Sequence, residues 1–231
     1  MTRVLLISHE PQADSGMIGQ ILREEGIDVD THVVLENPEA PNTNFPDPTQ
    51  YDAVMAFGSF SNAYDENSRV WVTPEVALIR ELVDQDIPYL GVCFGGQLLA
   101  EALGGSVEPA PAGSDEIGLV TFPGENLPIP QGPWFTWHED RTVMPRDAEV
   151  LASNDQAVQL FKYQRAVGTQ FHPEAHVDLV AQWTRIGADH IPTRTSEQEI
   201  LGDLTANADE LRANCRKLVD WFLDDIAVVS R

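Results

Sequence analysis

The sequence predicts an α/β protein: an open, mostly parallel sheet with helices on both faces, plus a small antiparallel extension. Two observations carry that prediction. Between Val4 and Gly105, short apolar runs of strand character alternate with segments of helical periodicity, and most of these runs are continuously apolar, as strands covered on both faces are. After Gly105 the chain changes to short strand-like runs separated by turns, which is the pattern of an antiparallel or mixed addition.

Taken in order, residues 4–8 (VLLIS) form a buried first strand, and residues 16–26 (GMIGQILREEG) carry apolar side chains at helical spacing with Gly26 as a stop. Residues 28–35 (DVDTHVVL) alternate as a second strand. A proline-rich surface loop then leads to a third buried strand at 51–59 (YDAVMAFGS). In residues 73–85 (TPEVALIRELVDQ) Thr73 reads as an N-cap, Pro74 as the first helical residue, and Val76, Ile79, Leu82 and Val83 as the inward face. That helix delivers the chain to a fourth strand, residues 87–93 (IPYLGVC), followed by a helix with Leu98, Leu99, Ala102 and Leu103 facing in. Residues 116–122, 132–140, 148–154, 157–163 and 166–171 supply the later strands, and residues 205–225 read as one closing amphipathic helix.

The chain has 231 residues, long enough for one domain spanning 1–231 with a substantial core, and its 42% apolar content and five tryptophans argue for a packed globule. With 37 acidic against 14 basic residues the formal charge is -23, which repels phosphate backbones and anionic lipid and argues against nucleic-acid and membrane-surface partners. Two cysteines, Cys93 and Cys215, are too few for a disulfide framework and fit a reducing interior. The N-terminal apolar run is too short for a signal peptide and no apolar stretch of 18 residues occurs, so a cytoplasmic protein is expected.

Cys93 sits where the fourth strand gives way to a helix, and in open parallel sheets ligands bind outside the carboxyl ends of the strands. Gly91 and Gly95 flank it two residues away on each side, a G-x-C-x-G spacing that matches a nucleophile elbow with sulfur in place of oxygen. The helix that follows would aim its unpaired N–H groups and partial positive charge at the thiol, favouring thiolate and a developing oxyanion. Cys215 shows the opposite pattern, on one helical face with Leu211, Leu218 and Phe222, and reads as core.

A thiol nucleophile needs a base, and of six histidines the distinctive one is His172, in VGTQFHPEAHVD. Pro173 biases His172 toward extended backbone, which lets Glu174 fall on the same side and complete a Cys93, His172, Glu174 triad. The alternating His172, Glu174, His176 and Asp178 also leave a metal reading open, although no other part of the chain supplies an open metal site. His9 and His32 have no acidic orienter at close spacing and read as structural; His190 lies in a polar loop.

GVCFGGQLLAEALGG together with GTQFHPE resembles the class I glutamine amidotransferases, and FGSFSNAYDE and WFTWHED resemble their free-standing, GMP-synthase-like branch. The resemblance runs from Val4 to about His176; residues 176–203 find no counterpart in it. It implies a flavodoxin-like class I glutaminase fold, with Cys93 as nucleophile, His172 as general acid and base, and Glu174 as orienter. It implies an oxyanion hole from the backbone N–H groups of Phe94 and Ser59, and substrate contacts from Gly58, Gln97, Trp137 and His138. Gly58, Ser59 and Phe60 depart from the family's usual Gly-Gly-Pro, which singles out this loop as the element expected to be unset in the isolated chain. The activity implied is hydrolysis of glutamine's side-chain amide, without cofactor or metal, to supply ammonia to a separate synthetase subunit. Hydrolysis of other γ-glutamyl amides or peptides by the same triad is the alternative. Two further readings stay open: a thiol dienelactone hydrolase, in which the acid precedes the histidine by many residues, and a regulatory module with a vestigial site, whose mark would be a lost triad member.

Overall fold

Alternation of side-chain direction divides each apolar run of the sequence between two cores. In the computed structural model, which describes residues 2–111, 114–124 and 126–229, the first strand β1 (Arg3–Ser8) sends Val4 and Leu6 into one buried cluster and Leu5 and Ile7 into the other. The helix α1 (Gly16–Glu24) joins the first cluster through Met17, Ile18, Ile21 and Leu22, and returns the chain to β2 (Asp28–Val33). Strand β3 (Ala53–Ala56), helix α2 (Arg69–Asp84), strand β4 (Tyr89–Val92) and helix α3 (Phe94–Ala102) follow, and both of these helices pack into the second cluster. The uninterrupted apolar runs are thus strands with a helix layer on each face, as parallel sheets require.

The long return from α3 contains β5 (Ser106–Pro109), β6 (Glu116–Val120), β7 (Trp134–His138), β8 (Asp140–Val143), β9 (Glu149–Ser153), β10 (Val158–Tyr163) and β11 (Ala166–Thr169). The main sheet has seven strands in the order β2-β1-β3-β4-β11-β10-β9. β11 lies parallel to β4, whereas β10 and β9 are antiparallel additions at the edge. β5 with β8, and β6 with β7, form two separate antiparallel pairs. The antiparallel extension expected after Gly105 is therefore divided: part prolongs the main sheet and part forms two ribbons above it.

Three helical expectations change. The helix expected to begin at Thr73 starts at Arg69, placing Pro74 inside α2. Burial explains this: Trp71 and Val72 are inside the core, and the Arg69 guanidinium pairs with Glu101 at 2.7 Å, so an extra turn forms despite the hydrogen bond Pro74 cannot donate. Residues 176–203, which had no assignment, contain α4 (Val177–Ile186) and α5 (Glu197–Ala206). Ser196 caps the start of α5: its Oγ accepts from the Glu199 N–H at 3.3 Å and donates to the Glu199 carboxylate at 2.9 Å. The single closing helix breaks at Asn207, whose side chain donates to the Asp203 carbonyl at 2.8 Å; α6 (Ala208–Trp221) follows and ends in a π-helical turn, Phe222–Ala227.

What places the cleft is the close approach of β4, α3 and β3. A Cβ on Gly91 would lie 2.3 Å from the Gly95 carbonyl oxygen, and one on Gly95 would lie 2.4 Å from that of Ala56. Both neighbours are backbone, so neither can swing aside. We expect Gly91→Ala to push α3 off the strand ends and to destabilise the protein by about 1–3 kcal/mol. A urea midpoint equal to wild type would show that the contact is looser than its geometry.

Candidate active site

At the end of β4 the chain turns sharply, and Cys93 sits on the turn with φ 50° and ψ -102°, a conformation that residues with a Cβ rarely adopt. Its N–H donates to the Thr169 carbonyl at 2.8 Å and its carbonyl accepts from Gln97 N at 2.9 Å, so both neighbouring elements hold the elbow. The strain aims the side chain at the cleft while α3 begins at the very next residue, leaving the Phe94 N–H as the first of that helix's unpaired donors.

His172 comes from the segment after β11. Its backbone N–H donates to the Phe135 carbonyl at 2.7 Å, a single antiparallel bridge that ties it to β7. The expectation of an extended run through Pro173 is replaced by a turn, closed by Ala175 N on the His172 carbonyl at 3.3 Å. The turn brings Glu174 back beneath the ring, with Oε1 2.7 Å from Nδ1. Since a carboxylate accepts, the Nδ1 proton is fixed, and Nε2 is the ring nitrogen left free of Glu174, with Cys93 lining the same cleft. Burial alone would pull the His172 pKa down, but the Glu174 and Cys93 charges outweigh it and hold the ring well above its usual value. Glu174 is fully buried, and its own carbonyl accepts from Met17 N at the start of α1 at 2.9 Å. The Cys215 thiol, in contrast, is pushed far up by burial and then by Glu174, and stays protonated.

The cleft these residues share has a volume of about 270 Å³. Gly58, Ser59, Phe94, Gln97, Trp137 and His138 all line it beside Cys93 and His172, so of the residues given a triad, oxyanion or substrate role in the sequence all but the buried Glu174 face one space. The His138 ring is already committed, with Nδ1 2.9 Å from the Asp140 carbonyl and Nε2 2.9 Å from the Glu116 carboxylate. The His172–Glu174 contact sets these two side chains on each other, while His176 serves as the residue capping α4. Among the described residues no three His, Cys, Asp or Glu side chains cluster as metal ligands would.

Several residues at the site were not apparent in the sequence. Gln170 donates its amide to Cys93 Sγ at 3.4 Å and accepts from the Gln97 amide at 3.4 Å; it lay inside the GTQFHPE stretch but drew no notice. Asp140 receives hydrogen bonds from Asn62 and Tyr64, both at 2.9 Å, and so ties the loop after β3 to β8. Trp183, Ile186, Gly187 and His190 form a further wall, with the Trp183 ring 4.9 Å from that of His172. His9, read as structural, is fully buried and bonded to Gly58 and Glu75, 49 and 66 residues away, separations at which spacing carries no signal.

A family model described as glutamine amidotransferase class-I matches residues 14–180, which include Cys93, His172 and Glu174. A glutamine-hydrolysing GMP synthase from Staphylococcus aureus (strain JH9) is 29% identical over 191 residues, covering 68% of this chain and 34% of that protein. One from Phocaeicola vulgatus is 32% identical over 148 residues, covering 58% and 26% respectively. The chain thus spans about a third or less of the length of these curated relatives. Among solved structures, a glutamine amidotransferase from Thermotoga maritima is 29% identical with a TM-score of 0.83, covering 97% of this chain and 99% of that one. A glutamine amidotransferase from Methylobacillus flagellatus, 23% identical, shares the fold with a TM-score of 0.83 over 98% and 96%.

The His9–Glu75 contact has a consequence for stability. Burial opposes charge on the His9 ring, but Glu75 overrides it and raises the pKa above 6.5. Because the folded value exceeds the unfolded one, this stabilisation is complete below pH about 6.5 and is lost as pH climbs through the raised value. In Glu75→Gln the alkaline fall in Tm, relative to each protein's own value at pH 6, is expected to be shallower than in wild type. Parallel curves from thermal melts would refute the pairing.

Proposed function

The chain belongs to the class I glutamine amidotransferase family, whose members are cysteine-dependent amidohydrolases, and from that premise we propose that Cys93, His172 and Glu174 hydrolyse the side-chain amide of glutamine and release ammonia for a separate synthetase subunit. The observation that carries the reading is one cleft lined by both a strained thiol and an imidazole, with the imidazole held at 2.7 Å by a buried carboxylate.

Cys93 sulfur, as thiolate, attacks the amide carbon; the C=O bond opens to an oxyanion received by the N–H groups of Phe94 and Ser59. His172 Nε2 gives its proton to the amide nitrogen, the C–N bond breaks, and ammonia leaves a thioester behind. Water then adds with His172 as base, the C–S bond breaks, and glutamate and thiolate are restored. Glu174 keeps Nδ1 protonated throughout, so that only Nε2 exchanges protons with the substrate. No step requires a metal or a cofactor. Gln97, Gly58 and the backbone of Trp137 and His138 hold the amino-acid end.

The glutamine-hydrolysing GMP synthases among the relatives support an ammonia acceptor outside the matched region, since the match occupies about a third of them or less. Two unpaired, buried cysteines support a cytoplasmic setting, and no helix among the described residues is long and apolar enough to cross a membrane. A second reading, hydrolysis of larger γ-glutamyl amides, is favoured by the cleft wall of Trp183, Ile186 and His190, which extends the space beyond His172.

Purified protein should release ammonia from glutamine, faster with an acceptor synthetase present, and retain that activity after exhaustive chelation. Cys93→Ala should abolish it. Glutamate dehydrogenase-coupled assays that show no ammonia, but cleavage of γ-glutamyl dipeptides, would select the second reading; loss on EDTA with recovery on zinc would reject a metal-free site. Glu174→Gln should lower kcat by about 10³-fold or more while KM changes little, as expected when imidazole orientation is lost. An unchanged kcat would remove Glu174 from the triad.

A further inference from the structure

His9 follows β1 and is wholly buried, away from the cleft. Its Nδ1 lies 2.9 Å from the Gly58 carbonyl oxygen and its Nε2 lies 3.0 and 3.1 Å from the two oxygens of Glu75, itself fully buried on α2. A carbonyl oxygen only accepts, so Nδ1 must carry a proton and donate it. Nε2 faces both oxygens of a carboxylate for which no other side-chain hydrogen-bond partner is found among the described residues, and the ring is wedged against Trp71 at 5.4 Å and against Phe94, edge-on, at 4.7 Å. A buried ion pair is poor evidence of a stability role, because desolvation offsets most of its attraction. The geometry it imposes on its neighbour is the more informative feature.

Gly58 C=O and Ser59 N–H belong to one planar peptide unit and, in the trans form, point in opposite directions. With the carbonyl bonded to His9, the Ser59 N–H is turned the other way, and Ser59, Cys93 and Phe94 line one cleft together. Glu10, the next residue, takes the far side of the same loop: its Oε1 accepts from Ser59 Oγ at 2.9 Å and from Phe60 N at 3.3 Å. We propose that His9, oriented by Glu75, is a positioning residue that locks the Gly58–Ser59 peptide with its N–H presented to the oxyanion. The loop expected to be unset in the isolated chain is on this account already set, by three hydrogen bonds from two consecutive residues. This inference rests on the acyl-transfer reading of Cys93 but not on glutamine as the substrate.

The test compares two reactions of Cys93. Acylation by p-nitrophenyl acetate passes through an oxyanion; alkylation by iodoacetamide does not, and reports only the thiolate. Glu75→Gln retains the Nδ1 donor and serves as the background, so that no carboxylate is left unpaired. In that background the ratio of acylation to alkylation rates should stay within about threefold of wild type. His9→Leu should lower it about 10²-fold, the loss typical of one oxyanion donor, with alkylation unchanged. His9→Asn, which can place an amide N–H where Nδ1 stood, should recover most of the ratio; should the leucine variant not fold, His9→Phe, which keeps a ring but no donor, takes its place in the comparison. A ratio unaffected by His9→Leu, an asparagine variant as impaired as the leucine one, or a parallel loss of alkylation would overturn the proposal. Wild-type protein that acylates normally but ignores glutamine would instead sink the glutamine reading, while the ratio still tests the loop.

Discussion

The backbone crowding among β3, β4 and α3 is the constraint on which the rest of the site depends. Side chains at residues 91 and 95 would strike carbonyl oxygens of Gly95 and Ala56, so glycine at both positions is what lets the helix start against the strand ends. That approach forces Cys93 into its φ of 50°, and the same turn makes the Phe94 N–H the open end of α3. The Cys93 thiol and the Phe94 N–H therefore come from one piece of local geometry, and the energetic cost of holding it is met by the surrounding packing. The remaining components are brought to this elbow by other strand ends, as expected where parallel strands share one carboxyl edge.

Around the elbow the protein repeats one arrangement, an imidazole held between a carboxylate and a second polar group. His172 lies between Glu174 and Cys93, His9 between Glu75 and Gly58, and His138 between Glu116 and the Asp140 carbonyl. In each, a carboxylate, fully buried for Glu174 and Glu75 and partly buried for Glu116, accepts from one ring nitrogen and so orients the ring. Gly58 stands between two of these rings: its carbonyl meets His9, and a Cβ there would come within 3.0 Å of His172 Cε1. The loop after β3 and the His172 ring are in this way referred to a common point, and glycine is needed there for close approach. The surface carries the -23 formal charge, yet the chemistry is governed by buried carboxylates, whose fields water screens little.

Much of this was legible in the sequence wherever the determinant was local. The parallel strands announced themselves as continuous apolar runs because both faces are covered, and G-x-C-x-G marked the elbow because the steric demand falls two residues to each side of Cys93. His172 and Glu174 were legible as a pair, though the physical cause was a turn at Pro173 and not the extended backbone inferred from it. The Ser196 cap on Glu199 was also written locally and was overlooked inside a polar segment. Thr73 misled because a Thr-Pro pair is a strong helix-start signal, whereas burial of Trp71 and Val72 decides where α2 begins.

The sequence by itself determined the fold class and singled out Cys93 at its turn and the His172–Glu174 pair, since each depends on spacing within a few residues or on side-chain periodicity. Only the tertiary structure decided that β9 and β10 extend the main sheet, that the segment around Trp183 and His190 walls the cleft, and that His9 and Glu75 hold the loop from behind. The reason is the same in each case. Strand edges, cleft walls and hydrogen bonds spanning 49 or 66 residues are fixed by which surfaces meet when the chain closes on itself, and a linear pattern does not record that meeting.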